Sequence, residues 1–77
     1  MEELIAFIAK SLVEKPEKVM VSSEEKEDGS TLIKLSVDVG DMGRIIGKEG
    51  RTAKAMRTLL NAKATREGRR SSLQILE

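Results

Sequence analysis

Cysteine, histidine, tryptophan and tyrosine are all missing from this 77-residue chain, and Phe7 is its one aromatic residue. Without cysteine or histidine there is no disulfide, no Cys/His metal site, no imidazole for acid–base catalysis and no thiol nucleophile. No apolar run approaches the roughly 18 residues a membrane span requires. The segment MEELIAFIAKSL begins acidic and lacks the basic start of a secretory signal, so a cytoplasmic location without membrane contact is expected. The length suits a single domain over residues 1–77 with a thin core, moderately stable or supported by a partner.

Charge is plentiful but divided. Residues 1–43 carry five Lys/Arg against ten Asp/Glu, whereas residues 44–70 carry nine against two. Basic charge concentrated in one stretch marks a candidate surface for a polyanion. The bland reading is a solvated helix face, and charge alone does not separate the two.

Periodicity gives the order of elements. From Glu2 to Glu14, Leu4, Ile5, Ile8 and Leu12 share one side of a helix, with Phe7 packing at its edge, and Pro16 stops it. Lys18 to Glu27 alternates loosely and reads as a strand. Asp28-Gly29 is a turn signal, and Thr31 to Val39 is a second strand that points Ile33, Leu35, Val37 and Val39 inward. Asp41 is placed to cap a short helical turn through Arg44 to Ile46. Arg51 to about Thr65 forms the longest helix. At about 100° per residue, Ala53, Met56, Leu59 and Leu60 cover its packing face, and Arg51, Lys54 and Arg57 make an adjacent cationic one. Ser71 to Leu76 is a final strand.

Between the two later helices lies Gly47-Lys48-Glu49-Gly50. Paired glycines around two polar residues let a backbone approach a ligand closely, and the helix beginning at Arg51 aims free amide N–H groups at the same place. The combination suits an anion.

Ile45-Ile46-Gly47-x-x-Gly50 followed by a basic helix resembles the signature of KH domains. The order α-β-β-α-α-β resembles the type II KH fold, an α+β architecture in which a three-stranded mixed sheet packs against three helices. Asp41 to Arg57 is also similar to the stretch D-M-G-x-I-I-G-K-x-G-R-x-A-K-A-x-R of small bacterial single-KH-domain RNA-binding proteins. That resemblance implies single-stranded RNA as ligand, with single-stranded DNA as a weaker form, gripped by its phosphates at Gly47, Lys48, Glu49 and Gly50. Arg51, Lys54 and Arg57 would extend the positive field, and Arg44 would line the rim. One of Ile45 and Ile46 would floor the groove while the other enters the core. The resemblance further implies an RNA chaperone or post-transcriptional regulator linked to cell elongation, division and envelope homeostasis. It also implies a homodimer, and pairing with a larger Jag-like KH protein. No cofactor is implied. With a single phenylalanine, base stacking of the RNP or OB-fold kind is not expected. Glu49 places a negative charge inside the loop and is expected to favour the helix dipole more than the ligand.

Other chemistries fit less well. A phosphate-binding Walker loop needs glycine where Met42 stands and Ser/Thr where Glu49 stands, and the dinucleotide spacing needs glycine at Ile45. Asp38 and Asp41 have no nucleophile, base or metal ligand beside them, so no enzyme activity is expected. The serious alternative is a protein-interaction module with a vestigial loop. Met20, Met42 and Met56 would then contribute to an adaptable apolar interface.

Overall fold

The structure, a computed structural model, describes residues 1–76. Its elements are α1 (Glu2–Leu12), β1 (Met20–Glu25), β2 (Thr31–Ser36), α2 (Met42–Ile46), α3 (Arg51–Arg66) and β3 (Ser71–Leu76). The expected α-β-β-α-α-β order is the observed one, and three helices pack with a three-stranded mixed sheet, an α+β arrangement of the type II KH kind.

The central strand β2 explains the sheet. Thr31, Ile33 and Leu35 are buried on one face, while Leu32, Lys34 and Ser36 are half-buried on the other. It pairs antiparallel with β1 from Met20↔Ser36 to Glu25↔Thr31, and parallel with β3 from Thr31↔Ser71 to Ser36↔Leu76. Parallel pairing needs a long crossover, and α2 and α3 supply it. At the hairpin tip, Asp28 Oδ1 accepts from the Ser30 amide at 2.9 Å and its hydroxyl at 2.6 Å.

The core joins Ile5 and Ala9 of α1, Ile33 and Leu35 of β2, Val37, Ile45 of α2, Met56 and Leu60 of α3, and Leu73 of β3. Each large side chain buried in this way contributes about 1.5–3 kcal/mol. On α3 the buried residues are Ala53, Met56, Leu60 and Ala64, a narrower stripe than the sequence pattern suggests. Leu59 falls outside it and is exposed.

Several sequence expectations change. β2 ends at Ser36, and Val39 is 68% exposed because the chain leaves the sheet before it. Asp38, not Asp41, caps the turn that follows, accepting from the Gly40 amide at 3.0 Å. Asp41 is buried and makes no capping bond to α2. Its two carboxylate oxygens instead accept the amides of Glu14 and Lys15 at 3.0 and 3.1 Å, which ties the chain leaving α1 to the start of α2. Those donors follow the last turn of α1, and a local motif search cannot find a partner 26 residues away. Phe7 does not pack within the chain: it is 72% exposed.

Candidate nucleic-acid interface

The Gly47–Gly50 segment is a tight, outward loop whose backbone geometry depends on its glycines. Gly47 has φ 76° and ψ 175°, a combination that residues with a β-carbon essentially never adopt. A β-carbon there would lie 2.2 Å from Thr52 Oγ1 and 2.9 Å from the Thr52 nitrogen. The first glycine is therefore required by the fold itself, not only by a ligand's approach. Gly50 has φ 74° and ψ 12°, and nothing would obstruct a β-carbon there. Between them Glu49 is held at φ 57°, the one non-glycine residue of positive φ among the described residues. Strain of this kind costs about 1–3 kcal/mol and concentrates at functional sites.

Internal bonds use part of the loop's polarity. The Gly47 amide donates to the Gly43 carbonyl at 2.9 Å and the Gly50 amide to the Gly47 carbonyl at 3.2 Å. The Arg51 amide, expected to be free at the start of α3, donates to the Lys48 carbonyl. Lys48 and Glu49 stand at the exposed tip of the loop.

The side chains around the loop divide into free and committed groups. Lys48, Lys54 and Arg57 are exposed and form no ion pair among the described residues. Arg51 lies 3.6 Å from Glu49 Oε2, so the acidic residue offsets the cation nearest the loop. Arg44 is drawn toward the end of α1, where it pairs with Glu14 and lies 3.4 Å from Asp41 Oδ1. Of the two isoleucines, Ile45 is fully buried and enters the core, while Ile46 is half-buried. Only Ile46 remains as a candidate for an apolar floor.

Farther along α3 lies a cleft of about 180 Å³ between the helix and β3, lined by Arg57, Leu60, Asn61, Ser71, Ser72 and Leu73. Asn61 Oδ1 accepts from Ser71 Oγ at 3.1 Å across it. The sequence pattern marked Arg57 but not its polar neighbours. Asn61 lies on the same flank of α3 as Lys54 and Arg57, at a spacing of seven and four residues, which is the only signal that pointed to it.

Among the described residues no helix is long and apolar enough to cross a membrane, and no three acidic side chains gather as a metal site would require.

A family model described as KhpA/KhpB, KH domain, matches residues 2–75. The chain is 51% identical to the RNA-binding protein KhpA of Listeria monocytogenes serovar 1/2a over the full length of both. It is 50% identical to the RNA-binding protein KhpA of Chlamydia trachomatis serovar D, covering 100% of this chain and 97% of that one. Among solved structures it is similar to Era in complex with MgGDPNP and nucleotides 1506–1542 of 16S ribosomal RNA, with TM-score 0.65 and 24% identity. It is likewise similar to a variant of Aquifex aeolicus Era bound to GDP and AlF4−, with TM-score 0.65 and 22% identity. In both cases 96% of this chain is covered but only 28% of the Era chain, so that likeness concerns the fold alone.

Proposed function

This chain belongs to the KhpA/KhpB family of KH domains, and from that premise we propose that it binds single-stranded RNA through Gly47–Gly50 and the adjoining face of α3. The observation that carries the reading is the exposed, glycine-bounded loop tip beside Lys48, Lys54 and Arg57, exposed cations that form no ion pair among the described residues. A phosphate receives backbone N–H groups from the tip and a mobile point charge from Lys48. Lys54 and Arg57 continue the field along α3, and Ile46 offers an aliphatic surface for a base. Arg51 contributes less than its position implies because Glu49 opposes it. Arg44 acts on the fold first, through Glu14 and Asp41. Single-stranded DNA in the same groove is the weaker form of this reading.

Residues 1–77 act as one KH domain, without enzyme activity, in the cytoplasm. Its finer role is that of an RNA chaperone or post-transcriptional regulator, linked to cell elongation, division and envelope homeostasis. Pairing with a second copy or with a larger Jag-like KH protein would place two weak sites side by side and raise their effective concentration. Phe7, Leu12 and Met20, all exposed, favour such pairing and keep the interaction-module reading in play. Met56 is buried and Met42 half-buried, so they serve packing before contact.

Replacing both Lys48 and Glu49 with Asp, with circular dichroism to verify folding, separates the two readings. Loss of RNA retention supports the loop. Undiminished retention by a folded variant would leave the interaction module as the better account.

A further inference from the structure

Both arginines that flank the glycine loop are held by glutamates. Glu49 lies against Arg51 within the site, whereas Glu14, 30 residues before Arg44 in the chain, takes the Arg44 guanidinium from the end of α1. The second pairing has the larger consequence, because it draws a cation away from the loop. Arg44 stands three residues before Gly47, about 4.5 Å along the axis of α2, and residues at that spacing share one helix face. Its long side chain has the loop within reach on one side and the end of α1 on the other.

The contacts along Arg44 are unequal. Its Nε, at the stem of the guanidinium, lies 3.4 Å from Oδ1 of the buried Asp41, beyond ordinary hydrogen-bond length. Asp41 already accepts the Glu14 and Lys15 amides, so its hydrogen bonding does not depend on Arg44. At the tip, one terminal nitrogen meets Glu14 Oε1. The two side chains are 50% and 70% exposed, and an ion pair so open to water is weak and screened by salt. The tip is therefore released at little cost, and the guanidinium can turn about its stem while Asp41 keeps Nε nearby. Once turned, its planar fork of donors matches two oxygens of one phosphate.

We propose that Glu14 and a phosphate of the bound strand compete for Arg44, so that Glu14 restrains the affinity of the loop by holding back its rim arginine. In the free chain Arg44 ties α1 to α2. In the bound chain its terminal nitrogens turn to the phosphate at Gly47–Gly50, and Glu14 is left to water. The exchange replaces one exposed ion pair with a charge-assisted, two-point contact. It makes the end of α1, outside the loop, a place from which the site is regulated: neutralising Glu14 frees a cation for the strand. The inference rests on the proposed single-stranded RNA reading and adds to it how that site is held in check.

A double-mutant cycle read by fluorescence anisotropy on a labelled ten-nucleotide oligouridylate tests it. Glu14→Gln is expected to tighten binding about two- to fivefold, the worth of an exposed ion pair. In an Arg44→Gln background the same substitution is expected to change nothing. Arg44→Gln alone is expected to make the slope of log K against log salt shallower by about 0.7, the share of one phosphate. Glu17→Gln removes an equal charge from the turn after α1 and gauges the general field, and its effect is expected to stay below that of Glu14→Gln. Far-UV circular dichroism checks that the variants fold. In the wild-type chain, where no folding defect enters, the side-chain nitrogen resonances of Arg44 are expected to move as RNA is added. The competition is overturned, with phosphate gripping left intact, by any of four results: no gain from Glu14→Gln, a gain that persists without Arg44, an equal gain from Glu17→Gln, or Arg44 resonances unmoved at saturation. An unchanged salt slope in Arg44→Gln overturns it too. Failure of the wild-type chain to bind the strand overturns the single-strand reading itself.

Discussion

Gly47→Ala is the substitution whose consequence the structure specifies most fully. The backbone at Gly47 lies in a region that costs a residue with a β-carbon about 1–3 kcal/mol. The new methyl group would then meet Thr52 Oγ1 at 2.2 Å, Thr52 Cβ at 2.7 Å and the Thr52 nitrogen at 2.9 Å. The hydroxyl can rotate away, but the other two atoms belong to the first turn of α3 and move only with the helix. Overpacking of this kind adds about 1–3 kcal/mol, so the total loss should be about 2–6 kcal/mol. Gly50→Ala supplies the control. Its φ is also positive, but its β-carbon meets nothing within 4 Å, so only the left-handed backbone cost of about 1–2 kcal/mol applies. Urea unfolding followed by circular dichroism measures both, with the midpoint converted through a shared slope. Adding Thr52→Ala should recover part of the Gly47→Ala loss by removing Oγ1, but not all, because Cβ remains. If Gly47→Ala is no less stable than Gly50→Ala, the close approach of the loop to α3 is not as described.

Three further outcomes follow from particular contacts. Asp41→Ala leaves the Glu14 and Lys15 amides without their acceptor and should cost about 2–4 kcal/mol by urea unfolding, since bonds to a charged group are worth about 1.5–3 kcal/mol; Asp41→Asn should lose less, and a neutral Asp41→Ala would mean the tie between α1 and α2 carries no stability. The Ser30 hydroxyl, then its amide, hold the Asp28 carboxyl below its ordinary range, with Arg70 and Lys26 adding to this and desolvation opposing it. The resulting stability is present above the unfolded-state pKa and is lost as pH falls through the lowered folded value; Ser30→Ala should raise the Asp28 midpoint in an NMR titration, and an unmoved midpoint would refute the cause. Glu49→Lys removes the charge opposing Arg51 and adds a cation to the loop, so RNA affinity should rise and the slope of log K against log salt should steepen by about 0.7; weaker binding would show that Glu49 assists the ligand.

Periodicity made most of the fold legible, and the misses share a cause. Ile33, Leu35 and Val37 alternate inward as expected, but Val39 continues the pattern after the chain has left the sheet. Alternation cannot register that departure, because Asp38 ends the run by accepting the Gly40 amide two residues on. Leu59 is apolar and close to the buried stripe of α3, yet it is 51% exposed. The boundary of that stripe is set by where α1 and the sheet lie, which is information from outside the helix. Asp41 reads locally as a cap and serves globally as an anchor for residues 14 and 15. The loop was legible because glycine spacing is a local property, although the reason for Gly47 was not: Thr52, five residues on, supplies it. Which isoleucine faces the core depends on the rotation of a five-residue helix, and that is set by packing from outside it.

The central claim is that the loop and α3 hold a nucleic-acid strand by its phosphates while a furrow beside them receives unpaired bases. Titrating labelled single-stranded and double-stranded oligonucleotides of equal length at about 50 and about 200 mM salt tests both halves together. With roughly three to four phosphates neutralised, single-strand affinity should fall about 20- to 50-fold across that range, and the duplex should bind more weakly at both concentrations. Equal affinity for single and double strands would reduce the site to plain charge attraction and contradict the account.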